Sequence, residues 1–116
     1  LIKIFKKKKI EIHIRSIFLQ GILLKEIHEL PKKFKVFQKD LIKIDNFSKK
    51  NKISKLELCI NFVFLKNYVS KILIGIEEKK NIQDILKINL NYKLHKIPNF
   101  KYSNSKLIDP RSWKTI

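Results

Sequence analysis

The chain reads as an α/β protein with parallel strands, and three observations predict it. Ile10, Ile12 and Ile14 alternate with Glu11, His13 and Arg15, the period-two pattern of a β-strand. Val69 to Gly75 is a short, β-branched and nearly unbroken apolar run, which suits a parallel strand buried on both faces. Around these two runs lie stretches with apolar residues at helical spacing. Such alternation of strand and helix marks a parallel sheet or barrel.

The 116 residues have room for one domain at most. There is no methionine and the chain begins Leu1-Ile2-Lys3, so it reads as a piece of a longer protein. The opening residues carry no signal-peptide core and no apolar run is long enough to span a bilayer, so no membrane partner is expected. The net charge is +17, but it is almost all lysine, with Arg15 and Arg111 the only arginines. Arginine is the residue that grips phosphates and bases bidentately, and here the lysines are spread along the whole chain. Together with abundant Ile, Asn and Phe, this is the residue usage of an A+T-rich genome and predicts a solvated basic surface rather than a nucleic-acid partner. A small basic nucleic-acid-binding module is the alternative reading, and a non-enzymatic interaction protein that docks through its apolar helices is another. Cys59 is alone among apolar neighbours, which excludes a disulfide framework, suits a reducing cytoplasm and predicts a small buried helix residue.

Taken in order, residues 1–9 are the end of an amphipathic helix, with Leu1, Ile2, Ile4 and Phe5 among lysines. A strand over Ile10 to Ile17 empties into a loop that begins at Ser16, turns at Gly21 and reaches Leu24. A loop fed by a strand end is where α/β proteins commonly place ligands. Leu24 to Leu30 is a connector closed by Pro31. Helices occupy residues 33–66, the first marked by Phe34, Phe37, Leu41 and Ile44, before Asn46, Ser48 and Asn51 predict a loop. The next has a capping box between Ser54 and Glu57, a staple between Ile53 and Leu58, and apolar residues on more than one face. After the strand at residues 69–75, Glu77 and Glu78 lead into a last helix over 79–88, with Ile82, Ile85 and Leu86 as its apolar side. The tail, residues 89–116, mixes Pro98, Asn99 and Ser103 with Phe100, Tyr102 and Trp113, and Asp109-Pro110 opens a final turn. It is expected to pack against a barrel or sheet edge.

Two segments resemble the C-terminal third of the aldo/keto reductase family. IEIHIRSIFLQGILL is similar to that family's seventh barrel strand and loop, and SKLELCINFVFLKNYVSKILIGIEEKKNIQDIL is similar to the penultimate helix, the eighth strand and the last helix. LIDPRSW also resembles endings found in the family. The resemblance implies the C-terminal portion of a (β/α)8 TIM barrel, about two βα units plus a tail, in an oxidoreductase that transfers hydride between NADP or NAD and a small-molecule carbonyl substrate. It implies that Arg15, Ser16, Phe18 and the backbone to Gly21 line the pyrophosphate, and that Gly75 allows close approach of the adenosine half. Asn81 stands where the family has Gln or Arg, and Asp84 stands at the adenine-contacting Glu. Ile85 replaces the usual Asn. Glu77 replaces a residue that often holds the 2′-phosphate, which leaves NADP and NAD both open. Without the resemblance Ser16 is a loop hydroxyl, Phe18 a core residue, Gly75 a strand end, Asn81 a first-turn polar residue and Asp84 a solvated charge.

The family's catalytic Asp, Tyr, Lys and His belong to earlier strands, and no residue of this chain is assigned to catalysis. His13, His28, His95 and Cys59 have no metal-ligand spacing, and there is no glycine-rich phosphate loop. The chain is expected to need the missing N-terminal barrel strands as its partner and to be inactive alone.

Overall fold

The computed structural model describes residues 1–76, 78–90, 97 and 105–115, and the chain divides into two units, Leu1–Ile17 with Leu56–Leu94 and Phe18–Lys55 with His95–Ile116.

In the first unit, helix α1 (Ile2–Lys7) buries none of its residues. It stops where Lys9 adopts a left-handed φ of 55°, which lets Ile10 N donate to Phe5 O at 2.9 Å and closes the last turn as a glycine cap would. Strand β1 (His13–Arg15) then pairs in parallel with β2 (Lys71–Leu73), with His13 opposite Lys71, Ile14 opposite Ile72 and Arg15 opposite Leu73. Among the described residues this pair is the sheet. Both strands are shorter than the runs 10–17 and 69–75. Each has a single neighbour, so only residues facing that neighbour gain ladder hydrogen bonds, and the left-handed Ser16 (φ 59°) ends the extended path of β1. Ile14 and Ile72 are half-buried while His13, Arg15, Lys71 and Leu73 are exposed. Burial of β2 on both faces is therefore not observed; one face of the pair is open.

Helix α3 (Lys55–Phe64) starts directly after Ser54 and carries Glu57 in its first turn, where a carboxylate favours the helix dipole; the helix α2 that precedes it belongs to the second unit. Its residues Leu58, Cys59, Ile60 and Asn61 are buried, and Asn61 Nδ2 donates to the Glu57 carbonyl at 3.1 Å. Phe62 and Phe64 remain exposed. Helix α4 (Lys79–Leu86) follows Glu78 and buries none of its residues.

The second unit begins with two 3-10 turns, Ile22–Leu24 and Ile27–Glu29, and a longer 3-10 stretch, Lys32–Phe37, that runs into α2 (Gln38–Asn51). Pro31 precedes that stretch, and its carbonyl accepts from Phe34 N at 2.8 Å. Phe34, Phe37, Leu41 and Ile44 are all buried and, with Ile22, form this unit's core. The loop expected at Asn46, Ser48 and Asn51 is instead the last part of α2. Single polar residues do not end a helix that is otherwise supported: Asp45 pairs with Lys49 at 2.6 Å one turn on, and Asn51 Nδ2 donates back to the Phe47 carbonyl at 2.8 Å. The helix ends only where Lys52 turns left-handed.

Of the tail, α5 (Ser105–Ile108) and a 3-10 stretch, Pro110–Thr115, are described; Tyr92, His95, Pro98, Asn99, Phe100, Tyr102 and Ser103 lie outside the described residues. The Trp113 ring meets Phe34 edge-on with centroids 4.5 Å apart, and Lys33 Nζ donates to the Trp113 carbonyl at 3.2 Å. The described end of the tail thus packs on an aromatic side chain of the 3-10 stretch rather than on a sheet edge. Among the described residues no helix is long and apolar enough to cross a membrane.

Candidate functional site

Parallel pairing gives both strands the same direction, so both leave the ladder at the same end. Arg15 closes β1 there and Ser16 follows it; Leu73 closes β2, and Ile74 and Gly75 follow. Arg15, Ser16 and Gly75 are thereby brought to one end of the two-stranded sheet. Arg15 and Ser16 are exposed, so a guanidinium and a hydroxyl stand next to each other in the chain where the backbone stops being a ladder. The left-handed φ of 59° at Ser16 costs a non-glycine residue about 1 kcal/mol or more, a cost that persists where the surroundings or a function hold the turn in place.

Gly75 and Gly21 differ in what they require. At Gly75 φ lies outside the left-handed region and an added Cβ would meet nothing within 4 Å, so neither backbone nor packing inside the chain demands glycine. Gly21 has φ 80° and caps the turn Ile22–Leu24, so its backbone does. Gly21 belongs to the second unit with half-buried Phe18, and it completes a left-handed run with Leu19 (φ 49°) and Gln20 (φ 53°). That run is tied by Leu23 N to Phe18 O and Ile22 N to Leu19 O, both at 3.2 Å.

On α4, Asn81 is exposed in the first turn and its N donates to the Glu78 carbonyl at 3.0 Å; Asp84 is half-buried one turn further on. Glu78 caps that helix through its extended backbone, with no side-chain cap hydrogen bond. Glu77 lies outside the described residues.

At the other end of the strand pair, Glu11 Oε2 accepts from His13 Nε2 at 2.9 Å and from Lys71 Nζ at 3.1 Å. The His13 hydrogen bond, followed by that of Lys71, holds the Glu11 carboxyl below the usual glutamate range. Among the described residues no three His, Cys, Asp or Glu side chains could hold a metal ion together. Burial pushes the Cys59 thiol up to about 12, which leaves it inert as a nucleophile.

Two residues outside the sequence-based candidates shape this region. Ser70 locks the start of the strand pair: its Oγ accepts from Ile12 N at 3.0 Å while its own N donates to Ile12 O at 2.9 Å. In the second unit, Lys55 Nζ donates to the Lys25 carbonyl at 2.9 Å and to Glu26 Oε1 at 3.0 Å, and lies 3.7 Å from Asp45. A hydroxyl just before an apolar run hints at the first of these. No periodicity relates residues 25, 26, 45 and 55.

Comparison with protein-family models, with curated proteins and with solved structures finds no match. The reductase resemblance therefore stays with the two segments that carry it.

Proposed function

We propose that the chain is the C-terminal, cofactor-binding part of an aldo/keto reductase, a (β/α)8 enzyme of a reducing cytoplasm that transfers hydride between NAD(P)H and a carbonyl substrate. The observation that carries this reading is the parallel register of β1 and β2, with Arg15 opposite Leu73. In β/α folds ligands bind at the carboxyl ends of parallel strands, and barrels commonly bind phosphate with the loops after their last two strands. The residues at that end fit a diphosphate. Arg15 offers charge, Ser16 a hydroxyl, and Gly75 a backbone that ligand atoms can approach without meeting a side chain.

The reductase resemblance assigns Arg15, Ser16, Phe18 and Gly21 to the pyrophosphate and Gly75, Glu77, Asn81 and Asp84 to the adenosine half; of these, Arg15, Ser16 and Gly75 are the ones that the strand pair carries to one end. A bound nicotinamide nucleotide supplies the hydride. The proton for the carbonyl oxygen and the shape of the substrate pocket come from the barrel strands outside this chain. This chain's own part is binding and orientation.

The test is to join the 116 residues to the N-terminal portion of a reductase and titrate with NADPH and NADH. Quenching of the protein's fluorescence with saturable affinity, lost on Arg15→Ala together with Ser16→Ala, is expected. Absence of quenching by either nucleotide in a folded, monodisperse chimera overturns the reading, and salt-sensitive binding of RNA in its place favours a basic nucleic-acid-binding module.

A further inference from the structure

Within the second unit a chain of main-chain hydrogen bonds leads away from the left-handed turn. Leu23 N reaches Phe18 O, Leu24 N reaches Gly21 O at 3.1 Å, and Lys25 N reaches Ile22 O at 3.3 Å. The next carbonyl, that of Lys25, is taken by the ammonium of Lys55, which lies far along the sequence at the first position of α3. The same ammonium binds Glu26, the residue that caps the following 3-10 turn and whose N donates to Glu29 Oε2 at 3.1 Å. The Lys55 side chain is only 12% exposed and the nearby Asp45 side chain only 16%, while Glu26 is 57% exposed. Charges withdrawn from water to this degree hold their partners more firmly than surface pairs do.

We infer that Lys55 is a positioning residue for the loop after β1: by fixing Lys25 and Glu26 against α2 it holds the left-handed turn Leu19–Gln20–Gly21 in its folded shape. Two non-glycine residues in left-handed conformation relax toward other backbone states unless both ends of their segment are held. Buried Ile22 holds the segment from within, and Lys55 holds the point where it leaves. Insofar as Phe18 to Gly21 contact a nucleotide, which rests on the function proposed above, Lys55 governs that contact without touching it.

Three variants of the full chain separate the possibilities. Lys55→Met keeps the length of the side chain and removes the ammonium; Asp45 retains Lys49 and Glu26 is largely in solvent, so no carboxylate is stranded in the interior. Amide hydrogen exchange of Ile22 to Lys25 is expected to accelerate roughly tenfold, the factor that corresponds to one hydrogen bond of ordinary net strength. Amides of α2 and of β2 should be unchanged. Lys55→Arg should restore most of the protection. Glu26→Gln, which removes one partner and leaves the Lys25 carbonyl bound, should give a smaller rise confined to the same amides and serves if Lys55→Met does not fold. Unchanged exchange at Ile22 to Lys25, a uniform rise across the chain, or no protection there in the parent overturns the inference. In the reductase chimera, Lys55→Met should raise the nucleotide Kd with Lys55→Arg near the parent. A parent chimera that binds no nucleotide removes the proposed function and leaves the exchange result to decide the role of Lys55.

Discussion

Ser70 and Ile12 are bonded in both directions: the Ser70 hydroxyl accepts from Ile12 N at 3.0 Å, and Ser70 N donates to Ile12 O at 2.9 Å. This double link sits one residue before the parallel ladder, and it sets the register that carries Arg15 opposite Leu73. Three-residue strands supply few ladder bonds of their own, so the side-chain bond weighs heavily. Ser70→Ala removes the acceptor and leaves Ile12 N without it, at a cost of about 1 kcal/mol. Urea unfolding should show that loss, and amide exchange at residues 13–15 and 71–73 should speed up before any other part of the first unit. Equal protection in the two proteins would mean the strands find their register without Ser70.

The two glycines should answer differently to the same change. Gly21→Ala places a Cβ on a backbone with φ 80° and should cost about 1 kcal/mol or more, although nothing nearby would be struck. Gly75→Ala has an ordinary φ and open space, so its melting temperature should match the parent's or slightly exceed it, because the unfolded chain loses freedom. If ligand atoms pass close to Gly75, that same variant weakens nucleotide binding in the reductase chimera. A stable Gly75→Ala chimera with unchanged affinity would show that the glycine has no part in the cleft.

Some of this organisation is legible in the sequence because it is local and periodic. The spacing of Phe34, Phe37, Leu41 and Ile44 identifies a buried face even though the backbone changes from 3-10 to α-helix within it, since both helices return a side chain to the same side every three or four residues. The alternation around Ile12 and Ile14 likewise finds β1. What is hidden depends on partners distant in the chain. Strand length is set by how much neighbour there is to bond, which no residue of β1 records. The helical state of Asn46, Ser48 and Asn51 is decided by the Asp45–Lys49 pair and by the core that holds the earlier part of α2, against a polar composition that suggests a loop. Lys55 is one lysine among many in the sequence; only folding gives it a carbonyl and two carboxylates from two separate stretches.

The exposed trio Glu11, His13 and Lys71 gives a dependence on pH whose sign is fixed. His13 and then Lys71 hold the Glu11 carboxyl below its ordinary value of 4.5, so folding is helped wherever that carboxylate is charged in both states. The contribution is complete above the ordinary value and disappears as pH falls below it through the lower folded value, because the unfolded chain then binds the proton first. Glu11 is open to solvent and its partners are screened, so the effect is small and fades with added salt. Stability measured by urea at pH 6 and at pH 3 should fall less on acidification for Glu11→Gln than for the parent, with the difference reduced in high salt. Equal acid losses in the two proteins would mean that the pairs seen at 2.9 and 3.1 Å do not persist in solution.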